Sequence, residues 1–195
     1  MGKHILVLQG HPDYRQRHLC HTLAQAYAEG AAGAGHEVET VEPARLDFPL
    51  LTSASEWQDG SVPAQLGQAQ QAIQRAQHLV FIYPLWLGDM PAMLKGFLEQ
   101  VARPGFAIDP GSRNRLHPGL LRGRSARLVV SMGMPALLYR WFYGAHSVKL
   151  MRRNILHFAG IAPVRSTIVG SAGDMPAALV ERWCARMRRL GAAAA

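Results

Sequence analysis

The residues best equipped for chemistry fall in three short turns. The first follows the apolar run Ile5-Leu6-Val7-Leu8 and reads Gly10-His11-Pro12-Asp13-Tyr14-Arg15-Gln16-Arg17-His18. It leads into a helix start, where free backbone N–H groups and the helix dipole favour an anion, and His11, Arg15, Arg17 and His18 add donors. Such a turn suits a phosphate; the plainer reading is a solvated basic loop. It is neither G-x-G-x-x-G nor G-x-x-x-x-G-K-[ST], which speaks against the usual dinucleotide fingerprint and against a P-loop. The second turn, Tyr83-Pro84-Leu85-Trp86-Leu87-Gly88-Asp89-Met90-Pro91, is bulky and apolar where a loop is ordinarily polar. A flat aromatic cofactor ring lying on Trp86 and Leu87, its polar edge bonded to backbone amides, would account for it; so would a core cap or a dimer contact. The third, Ser131-Met132-Gly133-Met134-Pro135, is followed by Tyr139, Tyr143 and His146, side chains able to stabilise charge or relay a proton and equally able simply to pack.

Three turns act together only if the fold brings them to one place. Short β-type runs alternate with amphipathic helical patterns along the chain, the mark of stacked βαβ units and a parallel sheet. The periodicity predicts strands at Ile5–Leu8, Glu37–Val41, Leu79–Tyr83, Arg127–Ser131 and Val164–Val169. Helical faces are carried by Leu19/Leu23/Ala26/Tyr27, by Leu66/Ala69/Ile73/Ala76, by Leu94/Phe97/Leu98/Val101, by Val148/Met151/Ile155/Phe158 and by Leu179/Val180/Trp183/Met187/Leu190. The stretch from Asp47 to Val62 reads as a loop-like insertion, and Ala192–Ala195 as a frayed tail. The expected fold is α/β: one domain over residues 1–191, a three-layer, doubly wound, five-stranded parallel sheet. Ligands of such sheets bind at the carboxyl ends of the strands where the strand order reverses, which is where all three turns would lie.

Composition narrows the function classes. The 195 residues are 49% hydrophobic and 17% charged, with two cysteines, Cys20 and Cys184, too few for a disulfide framework. No apolar run approaches the ~20 residues of a membrane span, and no secretory signal is read at the start, so a cytoplasmic protein is expected. The net charge of +8 is unevenly spread: residues 103–195 hold fifteen Lys/Arg against three Asp/Glu. That half could attract an anionic ligand or merely keep the surface solvated. Nucleic acid is disfavoured because Arg113, Arg115, Arg122, Arg124 and Arg127 lack interleaved aromatics. A metal site built on His18, Cys20 and His21 lacks further ligands, and no G-x-S-x-G elbow supports hydrolysis.

His11-Pro12, the block from His78 through Tyr83-Pro84-Leu85-Trp86 to Met90-Pro91-Ala92-Met93-Leu94-Lys95-Gly96-Phe97, Gly144-Ala145-His146, and Asn154-Ile155-Leu156-His157-Phe158-Ala159-Gly160 resemble the flavodoxin-like NAD(P)H:quinone oxidoreductase family. The resemblance spans nearly the whole chain. It implies a flavin, FAD or FMN, with NAD(P)H as co-substrate and a quinone-like acceptor in a two-electron, ping-pong reaction. It also implies that Pro84, Leu85, Trp86 and Leu87 hold the isoalloxazine ring, that His11, Arg17, His18 and Leu19 surround the flavin phosphate, and that Met132 and Gly133 close the other side. Tyr139 and His146 would stand beside the ring as the catalytic pair. One departure is Gln16-Arg17-His18-Leu19-Cys20, where the family commonly has Ser and Asn; Arg17 supplies charge in their place. The family's habit and the aromatics Trp57, Trp86, Trp141, Phe142 and Tyr143 point to a homodimer, without insertion in a membrane. The same fold also serves as an ancillary regulatory flavoprotein subunit of potassium efflux systems, which is the alternative function, and as an electron carrier, which the positive charge disfavours.

Overall fold

A computed structural model describes residues 2–112 and 119–195. Five strands, β1 (His4–Gln9), β2 (Glu37–Val41), β3 (His78–Pro84), β4 (Ser125–Ser131) and β5 (Val164–Val169), form one sheet in the order β2-β1-β3-β4-β5, every pair parallel. The strand order reverses between β1 and β3, as expected of a doubly wound sheet of flavodoxin type. Helix α1 (Leu19–Gly33) and the last helix cover one face; on the other lie α3 (Ala64–Arg75) and α4 (Ala92–Val101). The central β3 is buried along its whole length because both faces are covered, which explains its unbroken apolar sequence.

Three expectations are corrected. The Asp47–Val62 insertion contains a short helix, α2 (Ala54–Asp59), whose first turn is capped by the Ser53 hydroxyl accepting from the Glu56 N–H at 3.1 Å. Another short helix, α5 (Ala136–Trp141), begins directly after the third turn, and α6 (His146–Leu150) runs on as a π-helical stretch, Met151–His157. The C-terminal residues do not fray. Helix α7 (Ala177–Ala192) crosses α1 so closely that a Cβ on Gly30 or Gly191 would sit 2.1 Å from the other helix's backbone. Beyond it Ala194 is buried, and the Ala195 carbonyl accepts from the Arg127 guanidinium.

The basic second half proves partly structural. Arg103 donates to the carbonyls of Gln100, Glu56 and Gly60, Arg124 to those of Ile73 and Gln74, and Arg127 to the Thr167 hydroxyl. These guanidiniums tie loops and helix ends to the sheet, where orphan carbonyls need donors. Arg113 and Arg115 lie outside the described residues.

Candidate functional site

The carboxyl ends of β1, β3 and β4 bring the three turns side by side. Gly10 N–H donates to the Ile82 carbonyl at 2.8 Å, and Leu85 N–H to that of Ser131 at 2.7 Å, so each turn leaves the sheet beside the next. The His11 ring stands edge-on to Trp86, centroids 5.7 Å apart, linking the first turn to the second.

In the first turn a chain of local bonds fixes the shape. Gln9 Oε1 accepts from the His11 N–H, His11 Nδ1 from the Asp13 N–H, and Asp13 Oδ1 from the Arg15 N–H. His18 Nε2 meets Asp13 Oδ2 at 2.8 Å and its ring stacks on His11 at 3.9 Å, with His21 5.5 Å from His11. Burial, then the neighbouring imidazoles, hold the pKa of His11 below the ordinary histidine value; burial does the same for His21, and the His18 hydrogen bond lowers Asp13. Buried His11 and His21 resist charging, and an anion beside them would relieve that resistance. Arg17 is placed elsewhere: its guanidinium lies along α1, donating to Thr22 Oγ1 and Gln25 Oε1. Leu19 packs at the edge of the α1/α7 core. Among the described residues, no three His, Cys, Asp or Glu side chains form a metal-binding group.

The second turn is a tight two-residue reversal. Trp86 N–H donates to the Asp89 carbonyl at 2.8 Å and Asp89 N–H to that of Trp86 at 3.0 Å, with Leu87 at φ 48° and Gly88 at φ 84° between them. Glycine adopts that conformation without penalty, whereas for Leu87 it is strained, and the side chain gains nothing in return, being fully exposed at 108%. Strain of this kind at an exposed leucine beside a half-exposed Trp86 marks the turn as a candidate site. In the third turn Met132 is buried, and a Cβ on Gly133 would meet nothing within 4 Å, so open space lies over it. An exposed apolar turn beside an open, glycine-containing one suits a slot for a flat apolar ring.

Behind the slot sits a polar brace that the sequence reading missed. Ser147 Oγ donates to Asp89 Oδ1 at 2.5 Å, tying the second turn to α6, while Asp89 Oδ1 also accepts the Met90 N–H. Tyr139 is buried at 2% exposure, and its hydroxyl oxygen accepts from the Val148 N–H at 3.4 Å. Burial raises its pKa. His146 is exposed and folds back over Gly144. The catalytic pair expected from sequence is therefore split between a buried phenol and a surface imidazole.

A family model with the description "Flavodoxin-like fold" matches residues 3–190. The chain belongs to that family. Over 129 residues it is 27% identical to an "Uncharacterized NAD(P)H oxidoreductase" of Haemophilus influenzae, a match covering 64% of this chain and 63% of that protein. Over 157 residues it is 24% identical to "NAD(P)H dehydrogenase [quinone] 1" of Rattus norvegicus, covering 76% and 56%. The chain thus spans less than two thirds of the length of these curated relatives. Among solved structures, an NAD(P)H:quinone oxidoreductase from Methanothermobacter marburgensis superposes with a TM-score of 0.80 at 27% identity, covering 98% of this chain and 96% of that one. No helix among the described residues is long and apolar enough to cross a membrane.

Proposed function

We propose that this flavodoxin-like chain is a flavin-dependent NAD(P)H oxidoreductase that delivers two electrons to a quinone-like acceptor. The observation that carries the reading is the set of turns at the strand ends: strained, exposed Leu87 and exposed Trp86 on one, open space at Gly133 on the next, and a cluster of imidazoles at the helix start beside them. The similarity to NAD(P)H:quinone oxidoreductases supports it. Bound there, a flavin supplies hydride uptake from NAD(P)H and two-electron release to the acceptor. The chain's own work is positional and electrostatic. Pro84, Leu85, Trp86 and Leu87 form one wall, and Met132 and Gly133 the other. His11 and His18, with the first N–H groups of α1, receive a phosphate, and Leu19 seals that end against the core; Arg17, lying along α1, contributes charge at longer range. Tyr139 donates its phenolic proton toward negative charge developing at the ring's edge, and His146 supplies a positive charge beside it when protonated.

The basic surface favours NADPH over NADH, and the flavin is FMN or FAD. The protein acts in the cytoplasm as a homodimer: Trp141 and Phe142 stand 84% and 77% exposed next to the slot, an apolar patch of the kind that a second subunit covers. The test is steady-state NADPH oxidation with a panel of quinones, together with recovery of partners from lysate. Turnover that falls at least tenfold in Tyr139→Phe and in His146→Ala, with flavin retained, is expected. Negligible turnover with a co-purifying potassium transporter would overturn the enzyme in favour of an ancillary subunit.

A further inference from the structure

The second turn carries a negative charge that no cation answers. Asp89 is the one acidic residue of the second and third turns, in a chain whose net charge is +8. Elsewhere Glu39, Glu42 and Glu99 each pair with an arginine or lysine, and Glu29 and Glu181 share Arg188. Asp89 makes no ion pair among the described residues. Its half-buried carboxylate is held instead by two uncharged donors, the Ser147 hydroxyl at 2.5 Å and the Met90 N–H at 2.7 Å, both on Oδ1. Such bonds fix the group without cancelling its charge. The Asp89 backbone closes the turn through two hydrogen bonds with Trp86, so the charge is fixed relative to Trp86 and Leu87.

That charge is felt in the interior. Tyr83, at the end of β3, and Tyr139, on α5, are both buried; burial raises the pKa of each phenol, and the Asp89 charge raises both further. Two side chains on separate elements thus sense one carboxylate, as expected where the effective dielectric is far below that of bulk water. We propose that Asp89 sets the reduction potential of the flavin site: its fixed negative charge opposes the negative charge a bound flavin gains on reduction, which favours passing the electrons on to quinones of low potential. The inference rests on the flavin reading given above. Charge beside the ring is one of the levers by which a protein tunes a cofactor. The overall reaction is unchanged: NAD(P)H gives up a hydride, and the quinone takes up its two electrons and proton together with one proton from solvent.

Reductive titration of the flavin-loaded protein against a dye of known potential tests the assignment. Asp89→Asn keeps an oxygen for the Ser147 and Met90 donors and removes the charge; Asp89→Ser serves in its place should the asparagine protein not fold. Its preference for reduced over oxidised flavin should rise at least tenfold over the wild type, a midpoint about 30 mV higher for a two-electron couple. Ser147→Ala breaks the same brace but keeps the charge, and its midpoint should not rise. Equal midpoints in wild type and Asp89→Asn, or an equal rise in both variants, would overturn the proposal, the latter because loosening of the turn would then explain the shift. In flavin-free protein the charge is read by the phenols: tyrosine absorbance should titrate at lower pH in Asp89→Asn than in the wild type, and an unchanged titration would count against the field itself. A protein that binds no flavin would overturn the flavin reading and this proposal with it, whereas equal midpoints in flavin-loaded proteins would overturn this proposal alone.

Discussion

Replacing Ser147 by alanine should loosen the ring slot from behind, and the structure sets the size of the effect. The Ser147 hydroxyl donates to the Asp89 carboxylate at 2.5 Å from a site 3% exposed, joining the second turn to α6. A hydrogen bond to an ionised acceptor contributes roughly 1.5–3 kcal/mol. Asp89 is half-buried and keeps the Met90 N–H at 2.7 Å, so the low end applies, about 1.5 kcal/mol. For a chain of this length that is a fall in Tm of roughly 3–6 °C. Urea or thermal denaturation of the Ser147→Ala, Asp89→Ala and double variants gives the pairwise term directly. A coupling of about 1 kcal/mol or more is expected, well above the ~0.3–0.5 kcal/mol within which independent sites add. Flavin affinity should fall with it, because the freed turn carries Trp86 and Leu87. Additive single effects, with affinity unchanged, would refute the brace.

Two further outcomes follow from the same structure. Leu87→Gly should leave stability unchanged or raise it by up to about 1 kcal/mol, since relief of the left-handed strain offsets the entropy of glycine, while flavin binding weakens; a destabilised variant with normal flavin binding would contradict the role given to Leu87. His78 is buried in β3 with Nδ1 against Ser125 Oγ at 2.7 Å, and burial lowers its pKa from 6.5 to about 4. The unfolded chain therefore binds the proton first. Stability is full above pH 6.5 and declines as pH falls toward 4, by about 3 kcal/mol in all, and a His78→Gln protein should show a flatter denaturation profile across that window.

Much of the fold could be read in advance because the central strand is covered on both faces and so is apolar throughout, as Leu79–Tyr83 shows, because the edge strand Glu37–Val41 alternates, and because Leu19, Leu23, Ala26 and Tyr27 keep helical spacing. The short helix α2 was hidden among Gly and Pro, yet Ser53 followed three residues later by Glu56 is a capping pattern that announces it. Ser125 and Ala126, a polar and a small residue after Gly123-Arg124, escaped the strand reading although Ala126 is buried in the sheet. Within the site, the three turns were legible since the topology dictates where they meet. Side-chain direction was not: Arg17 turns onto Thr22 and Gln25, and Tyr139 turns inward to Val148, through contacts that only the packed helices create.

Titration of flavin-stripped protein with FMN and FAD, followed by anaerobic addition of NADPH and then menadione, tests the central claim most directly. The account predicts saturable flavin binding that tightens as pH falls, since an anion beside His11 and His21 favours their protonation. It further predicts bleaching of the bound flavin by NADPH and recovery of its absorbance on adding the quinone. A protein that binds neither flavin, or that binds one without being reduced by either nicotinamide nucleotide, would contradict it.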